Sequence, residues 1–114
     1  MKFIDSTITT AELQKMAEKM FGQLVKAVVD IDKEVMVVDA EMHADEEGVL
    51  LEHGSQQNNL WGINLYPDKT EEDWIEFDSM INLRPGWGNR SRGVDDPRTR
   101  EKIITIVNKL VKRC

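Results

Sequence analysis

The chain has 114 residues, a formal net charge of −6, 40% hydrophobic and 32% charged side chains, which suits one globular domain, 1–114, with a hydrophobic core that needs no staples. A single cysteine, Cys114, excludes an intrachain disulfide and a cysteine-type zinc site. No apolar run approaches the roughly 20 residues that cross a bilayer, and "MKFIDSTITTAEL" has no signal-peptide pattern, so a reducing, cytoplasmic setting without a membrane partner is expected.

Taken in chain order, "TTAE" at Thr9–Glu12 forms a capping box. Leu13, Met16, Ala17, Met20, Phe21 and Leu24 then recur at helical spacing, which predicts an amphipathic helix over 10–21 that Gly22 ends. "VKAVVDIDKEVMVVDAEM" is rich in β-branched residues around a polar "DIDKE". It reads as a hairpin, with strands 25–31 and 34–42 and a turn near Asp32-Lys33.

In "HADEEGVLLEHGSQQ", Asp45 is a fair N-cap and Glu46 and Glu47 suit a first helical turn. A short helix over 45–53 is expected, with a third strand as the competing reading. "LWGINLYP" predicts a strand over 60–66 closed by Pro67, and "WIEFDSMINL" alternates as a half-buried strand over 73–83. Trp61 and Trp74 read as core residues. "RPGWGNRSRGV" holds too much glycine and proline for regular structure, and Trp87 between Gly86 and Gly88 is expected to be exposed. Asp96 then caps a last helix with Pro97 at its first position. Ile103, Ile104, Val107, Leu110 and Val111 form its apolar stripe.

Two hairpins and two amphipathic end helices predict an α+β fold. About four antiparallel strands would be packed on one face by the N- and C-terminal helices, leaving the other face wet or at an interface.

The segments "HADEE", "GSQQNNLWGINLYP", "FDSMINL" and "GNRSRGVDDP" resemble, in that order and spacing, a family of small, mostly bacterial stand-alone proteins classed only as a domain of unknown function. The resemblance runs over about residues 10–112. It implies a compact stand-alone domain and assigns no activity, substrate or catalytic residue.

Charge divides the chain unevenly. Residues 1–83 carry 18 acidic and 6 basic side chains, whereas residues 84–114 carry 3 acidic and 9 basic ones. Arg84, Arg90, Arg92, Arg98 and Arg100 surround the glycine-rich loop and the last helix start. Guanidinium forks and free helix amides are what an anion needs. Asn89 and Ser91 add hydrogen-bonding groups, and Trp87 beside arginine is a common interface composition. The anion- or partner-binding candidates are therefore Arg84, Trp87, Asn89, Arg90, Ser91 and Arg92.

The competing reading is a strap, in which Asp95, Asp96, Glu101, Asp78 and Glu76 neutralise the same arginines within the domain. Asp39, Glu41 and His43 alternate, so a strand persisting through His43 would project all three from one face. With Asp78 they would make a weak catalytic or metal-ligating set.

Two functions follow from these features. The first is a small binding or regulatory module whose Arg/Asn/Trp loop contacts an acidic protein, a phosphorylated small ligand or a second copy of the chain. The alternative is a metal-assisted hydrolase using Asp39, Glu41, His43 and Asp78. The sequence leans away from an enzyme, and no motif calls for a cofactor. Nucleic acid is disfavoured because the basic patch is local and the domain acidic.

Overall fold

A computed structural model describes residues 1–113. Five strands build the main sheet: β1 (Lys2–Ile4), β3 (Val25–Asp30), β4 (Val35–Val38), β5 (Leu60–Leu65) and β6 (Ile75–Glu76). A separate pair joins β2 (Ile8–Thr9) to β7 (Val111–Lys112). Three helices complete the fold: α1 (Thr10–Lys19), α2 (His43–Glu52) and α3 (Pro97–Leu110). The main sheet has the order β1-β4-β3-β5-β6 with every neighbour antiparallel, while β2 and β7 run parallel. The fold is α+β, with three helices and a mostly antiparallel arrangement of strands.

The two expected hairpins are matched roughly, with shorter second strands. β3 turns into β4 because Asp30, fully buried, accepts from the amides of Asp32 (2.8 Å) and Lys33 (2.9 Å) through Oδ1 and from the Ser55 hydroxyl (2.6 Å) through Oδ2. β5 turns into β6 with Leu65 opposite Ile75. The end helices start as their sequences dictate. Thr9 Oγ1 accepts from the Glu12 amide at 3.1 Å, and Asp96 Oδ1 accepts from the Arg98 amide at 2.9 Å with Pro97 in the first turn.

Register then sorts the side chains. Val25, Ala27 and Val29 of β3 face the same side as Ile63 and Leu65 of β5 and Met36 and Val38 of β4. Leu13 and Ala17 of α1 and Ile103, Ile106, Val107 and Leu110 of α3 pack there in one buried cluster. The expectation of both end helices on one face is therefore met.

Five expectations change. Lys2–Ile4, for which no element was expected, form β1, whose Lys2 and Ile4 pair with Val38 and Met36, so the sheet has an extra strand. Its second face is not wet: α2 covers it, and Val28, Val37, Leu50 and Leu60 form a second core. The strand expected over 34–42 stops at Val38, because Asp39 adopts a left-handed φ of +70° and breaks the ladder. The helix expected over 45–53 consequently begins earlier, at His43, with Met42 rather than Asp45 at the N-cap.

The strand expected over 73–83 pairs only at Ile75–Glu76. Beyond it the chain crosses from one sheet face to the other: Phe77 packs on the α1/α3 cluster and Ile81 on the α2 cluster. Gly62 permits this crossing. A Cβ on Gly62 would stand 2.5 Å from Ser79 Cβ and 2.6 Å from Ser79 Oγ, and Ser79 is buried beneath the backbone it would have to move. Gly62→Ala is expected to destabilise the protein by about 1–3 kcal/mol, as overpacking does, read from the midpoint of urea unfolding. An unchanged midpoint would mean that the crossing segment shifts freely.

Candidate functional site

The arginine-rich segment opens with a tight turn. Arg84 and Asn89 exchange backbone hydrogen bonds of 2.9 and 3.1 Å, Pro85–Trp87 form one 3-10 turn, and Gly88 takes a left-handed φ of +86°. Trp87 projects from this turn and is 59% exposed. Asn89 points inward. Its Nδ2 contacts the carbonyls of Asn82 (2.7 Å), Ser91 (3.1 Å) and Gly93 (2.9 Å), and its Oδ1 accepts from the Asp95 amide at 2.8 Å. An amide so used has no free donor left for a ligand. Asn89, placed by sequence among the binding residues, organises the loop instead.

Most of the other polar candidates are also held by the domain. The Ser91 hydroxyl donates to Asp95 Oδ1, and the Arg90 amide donates to Asp95 Oδ2 at 2.7 Å. These bonds, the Ser91 hydroxyl first, hold the Asp95 carboxyl below the ordinary range. Arg92 Nε donates to Asp78 Oδ1 at 2.8 Å, Arg98 lies 3.7 Å from Asp96, and Arg100 donates to the carbonyls of Val94 and Asp95. Among the described residues only Arg90, of these arginines, has a guanidinium with neither hydrogen bond nor ion pair. The strap is thus the larger part of the answer to why basic residues gather here.

Arg84 differs from the rest. Its side chain is only 9% exposed, Nη2 donates to the Leu60 carbonyl at 2.6 Å, and the same nitrogen lies 3.6 Å from Glu47 Oε2. The guanidinium stacks against two indoles, 5.0 Å from the Trp61 ring centre and 5.5 Å from that of Trp87. Burial draws its pKa down, and the Glu47 carboxylate pushes the other way. Arg84 Nη1 and Glu47 Oε2 are both buried without a hydrogen-bond partner. Above them opens a cleft of about 350 Å³, walled by Met80, Leu83 and Trp87. These three side chains are 62%, 42% and 59% exposed.

Met80 and Ile81 form a ridge between this cleft and a second one of about 300 Å³. The second cleft is lined by the polar residues Lys26, His43, Asn64, Asp78, Ser79 and Arg92 and by the apolar Met42, Ala44, Met80 and Ile81. His43 is buried, with Nε2 donating to the Ile63 carbonyl at 2.8 Å. Burial holds this ring below the ordinary histidine range, partly offset by the Ile63 carbonyl. The ring is therefore neutral near pH 7.

The catalytic and metal-binding set expected from the sequence does not assemble. With β4 ending at Val38, Asp39 sits in a left-handed turn, Glu41 is exposed on the connection, and His43 opens α2. Only His43 and Asp78 of the four reach the second cleft. Among the described residues no group of three or more histidine, cysteine or acidic side chains could hold a metal ion. The convergence that a metal-assisted hydrolase requires is absent there. Also among the described residues, no helix is long and apolar enough to cross a membrane.

Sequence reasoning missed Lys26, Glu47, Gln57 and Asn64, all of which line these clefts. Lys26 was detectable: it interrupts "LVKAVV", an otherwise apolar run of a strand buried on both faces. Gly62, in mid-strand, carried the signal for the close approach of Ser79.

These features define a small α+β domain carrying two adjoining surface clefts, one lined by the Arg84–Glu47 ion pair with Met80, Leu83 and Trp87, the other by Lys26, His43, Asn64 and Asp78 with Met42 and Ile81. The chain belongs to the family described as Protein of unknown function (DUF5674), whose model matches residues 2–110. Comparison with curated proteins and with solved structures gave no match.

Proposed function

We infer that this protein is a binding module that seats an extended segment of a partner protein in the Arg84–Trp87 cleft. One observation carries the reading: Arg84 and Glu47, which line the cleft, keep a buried donor, Nη1, and a buried acceptor, Oε2, that make no hydrogen bond, Oε2 having only the 3.6 Å ion pair with Arg84 Nη2. Leaving such groups unpaired costs about 1–3 kcal/mol each. A peptide backbone offers both complements, a carbonyl and an N–H, in every residue. The walls of Met80, Leu83 and Trp87 suit an apolar side chain on that segment, and Trp and Arg are the residues in which binding energy concentrates.

Because Arg84 is already matched by Glu47, the cleft is close to electrically neutral and gives an acidic residue no advantage inside it. Exposed Arg90 stands nearby for an acidic residue flanking the segment. A phosphorylated ligand has weaker support on the loop, since Arg92, Arg98 and Arg100 are occupied by the domain's own oxygens.

Selection of a displayed library of extended peptides on the immobilised protein tests this. Selected peptides are expected to share an apolar residue and to bind Trp87→Ala at least tenfold more weakly, as for a binding hot spot, while that variant melts at the unchanged temperature. Peptides that bind Trp87→Ala as well as the parent protein, or a library that yields none, would refute the reading. Concentration-dependent self-association lost in Trp87→Ala would instead identify the partner as a second copy of the chain.

A further inference from the structure

The exposed apolar side chains are not scattered. Eight large hydrophobic side chains of the described residues are exposed, and five of them lie in one run along the two clefts: Trp87, Leu83, Met80, Met42 and Phe21. Trp87 and Leu83 wall the first cleft, Met80 stands on the ridge and lines both, and Met42, 56% exposed, lines the second. Phe21 lies beside Lys26 of that second cleft, its ring centre 5.1 Å from Nζ. Apolar side chains exposed singly are ordinary, but a connected run of them marks an interaction surface. A segment that stopped in the first cleft would cover one flank of Met80 and leave the other, with Met42 and Phe21, in water.

The far half of this run carries a charge of its own. Lys26 projects from β3 onto the face that α2 covers and is half-buried. Among the described residues it makes no hydrogen bond and no ion pair, and its contact is the Phe21 ring. The other two charged residues of the cleft, Asp78 and Arg92, are bonded to each other at 2.8 Å. Burial holds the Glu46 carboxyl, on which Lys26 acts, protonated, so it does not neutralise the lysine. The second cleft therefore keeps one unmatched positive charge among apolar side chains, whereas the first, with Arg84 set against Glu47, keeps none. A half-buried charge is poorly screened by salt, so Lys26 rewards a carboxylate more than exposed Arg90 does.

We propose that the partner segment seated in the Arg84–Trp87 cleft continues over the Met80 ridge, placing an acidic side chain on Lys26 and a second apolar side chain against Met42 and Phe21. This rests on the first cleft being a peptide site, and it adds the chemistry of the partner: an extended stretch bearing two apolar residues and one carboxylate, the carboxylate excluded from the first cleft and required in the second.

The test uses peptides selected from a displayed library on the wild-type protein, with affinities measured on the wild type, Trp87→Ala, Lys26→Met and Met42→Ser. Serine is a favoured N-cap, so the last change keeps the start of α2. The peptides are expected to share one Asp or Glu at a fixed spacing from the shared apolar residue. Changing that acid to its amide is expected to weaken binding about tenfold on the wild type, as loss of a partly desolvated charge partner does, and less than about twofold on Lys26→Met. Met42→Ser is expected to weaken binding severalfold. Peptides that need Trp87 but share no acid, or that bind Lys26→Met or Met42→Ser as well as the wild type, would overturn the continuation and leave the first cleft a peptide site. Peptides indifferent to Trp87, or a library that yields no binder, would overturn both. The acid-to-amide comparison needs no protein variant and decides the matter even if Lys26→Met fails to fold.

Discussion

Replacing Glu46 by glutamine should make the protein more stable at pH 8, by a few kcal/mol, and nearly indifferent to pH between 7 and 9. Glu46 lies in α2 and is fully buried. Its Oε2 accepts from the Ala40 amide at 3.2 Å, and its Oε1 has no partner. Burial pushes its pKa up from 4.5 to about 10, against smaller opposing influences from the Ala40 amide, Lys26 and the N-terminus. The folded protein therefore holds this acid neutral across the physiological range.

The sign follows from proton linkage. The folded state binds a proton that the unfolded chain has released above pH 4.5, so the contribution to stability is complete below that pH and is lost as pH rises toward about 10. The slope for one proton is about 1.4 kcal/mol per pH unit, which over three units amounts to roughly 4 kcal/mol. Glu46→Gln keeps the acceptor for Ala40 and removes the charge. Urea unfolding at several pH values checks both halves. A wild-type stability that stays level from pH 7 to 9, or a glutamine variant no more stable at pH 8, would mean that the buried carboxyl is ionised and compensated.

The second large effect is expected at Asn82, which is fully buried. Its Oδ1 accepts from the Gly62 amide at 2.8 Å, and its Nδ2 donates to the Gly62 carbonyl and the Arg92 carbonyl, each at 2.9 Å. The side chain thus replaces a strand: β6 pairs with β5 at only two residues, and Asn82 satisfies the edge of β5 where β6 has left it. Asn82→Ala would orphan two buried backbone groups, the N–H and C=O of Gly62, and would leave the Arg92 carbonyl with only its bond from the Ser79 amide. At about 1–3 kcal/mol each, reduced where water enters, the loss should be on the order of 3 kcal/mol. In a domain of this size that lowers the melting temperature by roughly 10 °C or more.

Asn82→Asp separates lost hydrogen bonds from lost volume. It preserves shape but turns a donor into an acceptor facing two carbonyls, so it should be at least as damaging as alanine. An aspartate variant that melts near the wild type, or an alanine variant shifted by only a degree or two, would show that the edge of β5 is served in another way.

The elements most legible in the sequence were those with local chemistry. Thr9 and Asp96 announce their helices, "DIDKE" announces a turn, and two glycines announce an outward Trp87. What stayed hidden depends on contacts distant along the chain. Whether Lys2–Ile4 pairs with β4 is decided by the far edge of the sheet, not by three residues of sequence. The alternation of "WIEFDSMINL" fits a strand equally well as a segment crossing between two faces, and only Gly62, fifteen or so residues earlier, distinguishes them.

The covered second face was nearer to legible. "VMVV" in β4 has no polar side at all, which is the mark of a strand buried on both faces. For the clefts, composition drew attention to all the arginines. The structure leaves Arg84 as the one whose buried valence remains open, a distinction that depends on Glu47, Trp61 and Leu60 and that no spacing rule contains.

The parallel pairing of Ile8 with Val111 joins the first residues of the fold to nearly the last. Entropy resists closing so long a loop, although the cost grows only with the logarithm of its length. While the chain is being synthesised, α1 has no α3 beside it and Ile8 has no strand to lie against until Val111 has emerged, so the apolar flank of α1 waits about a hundred residues for its cover.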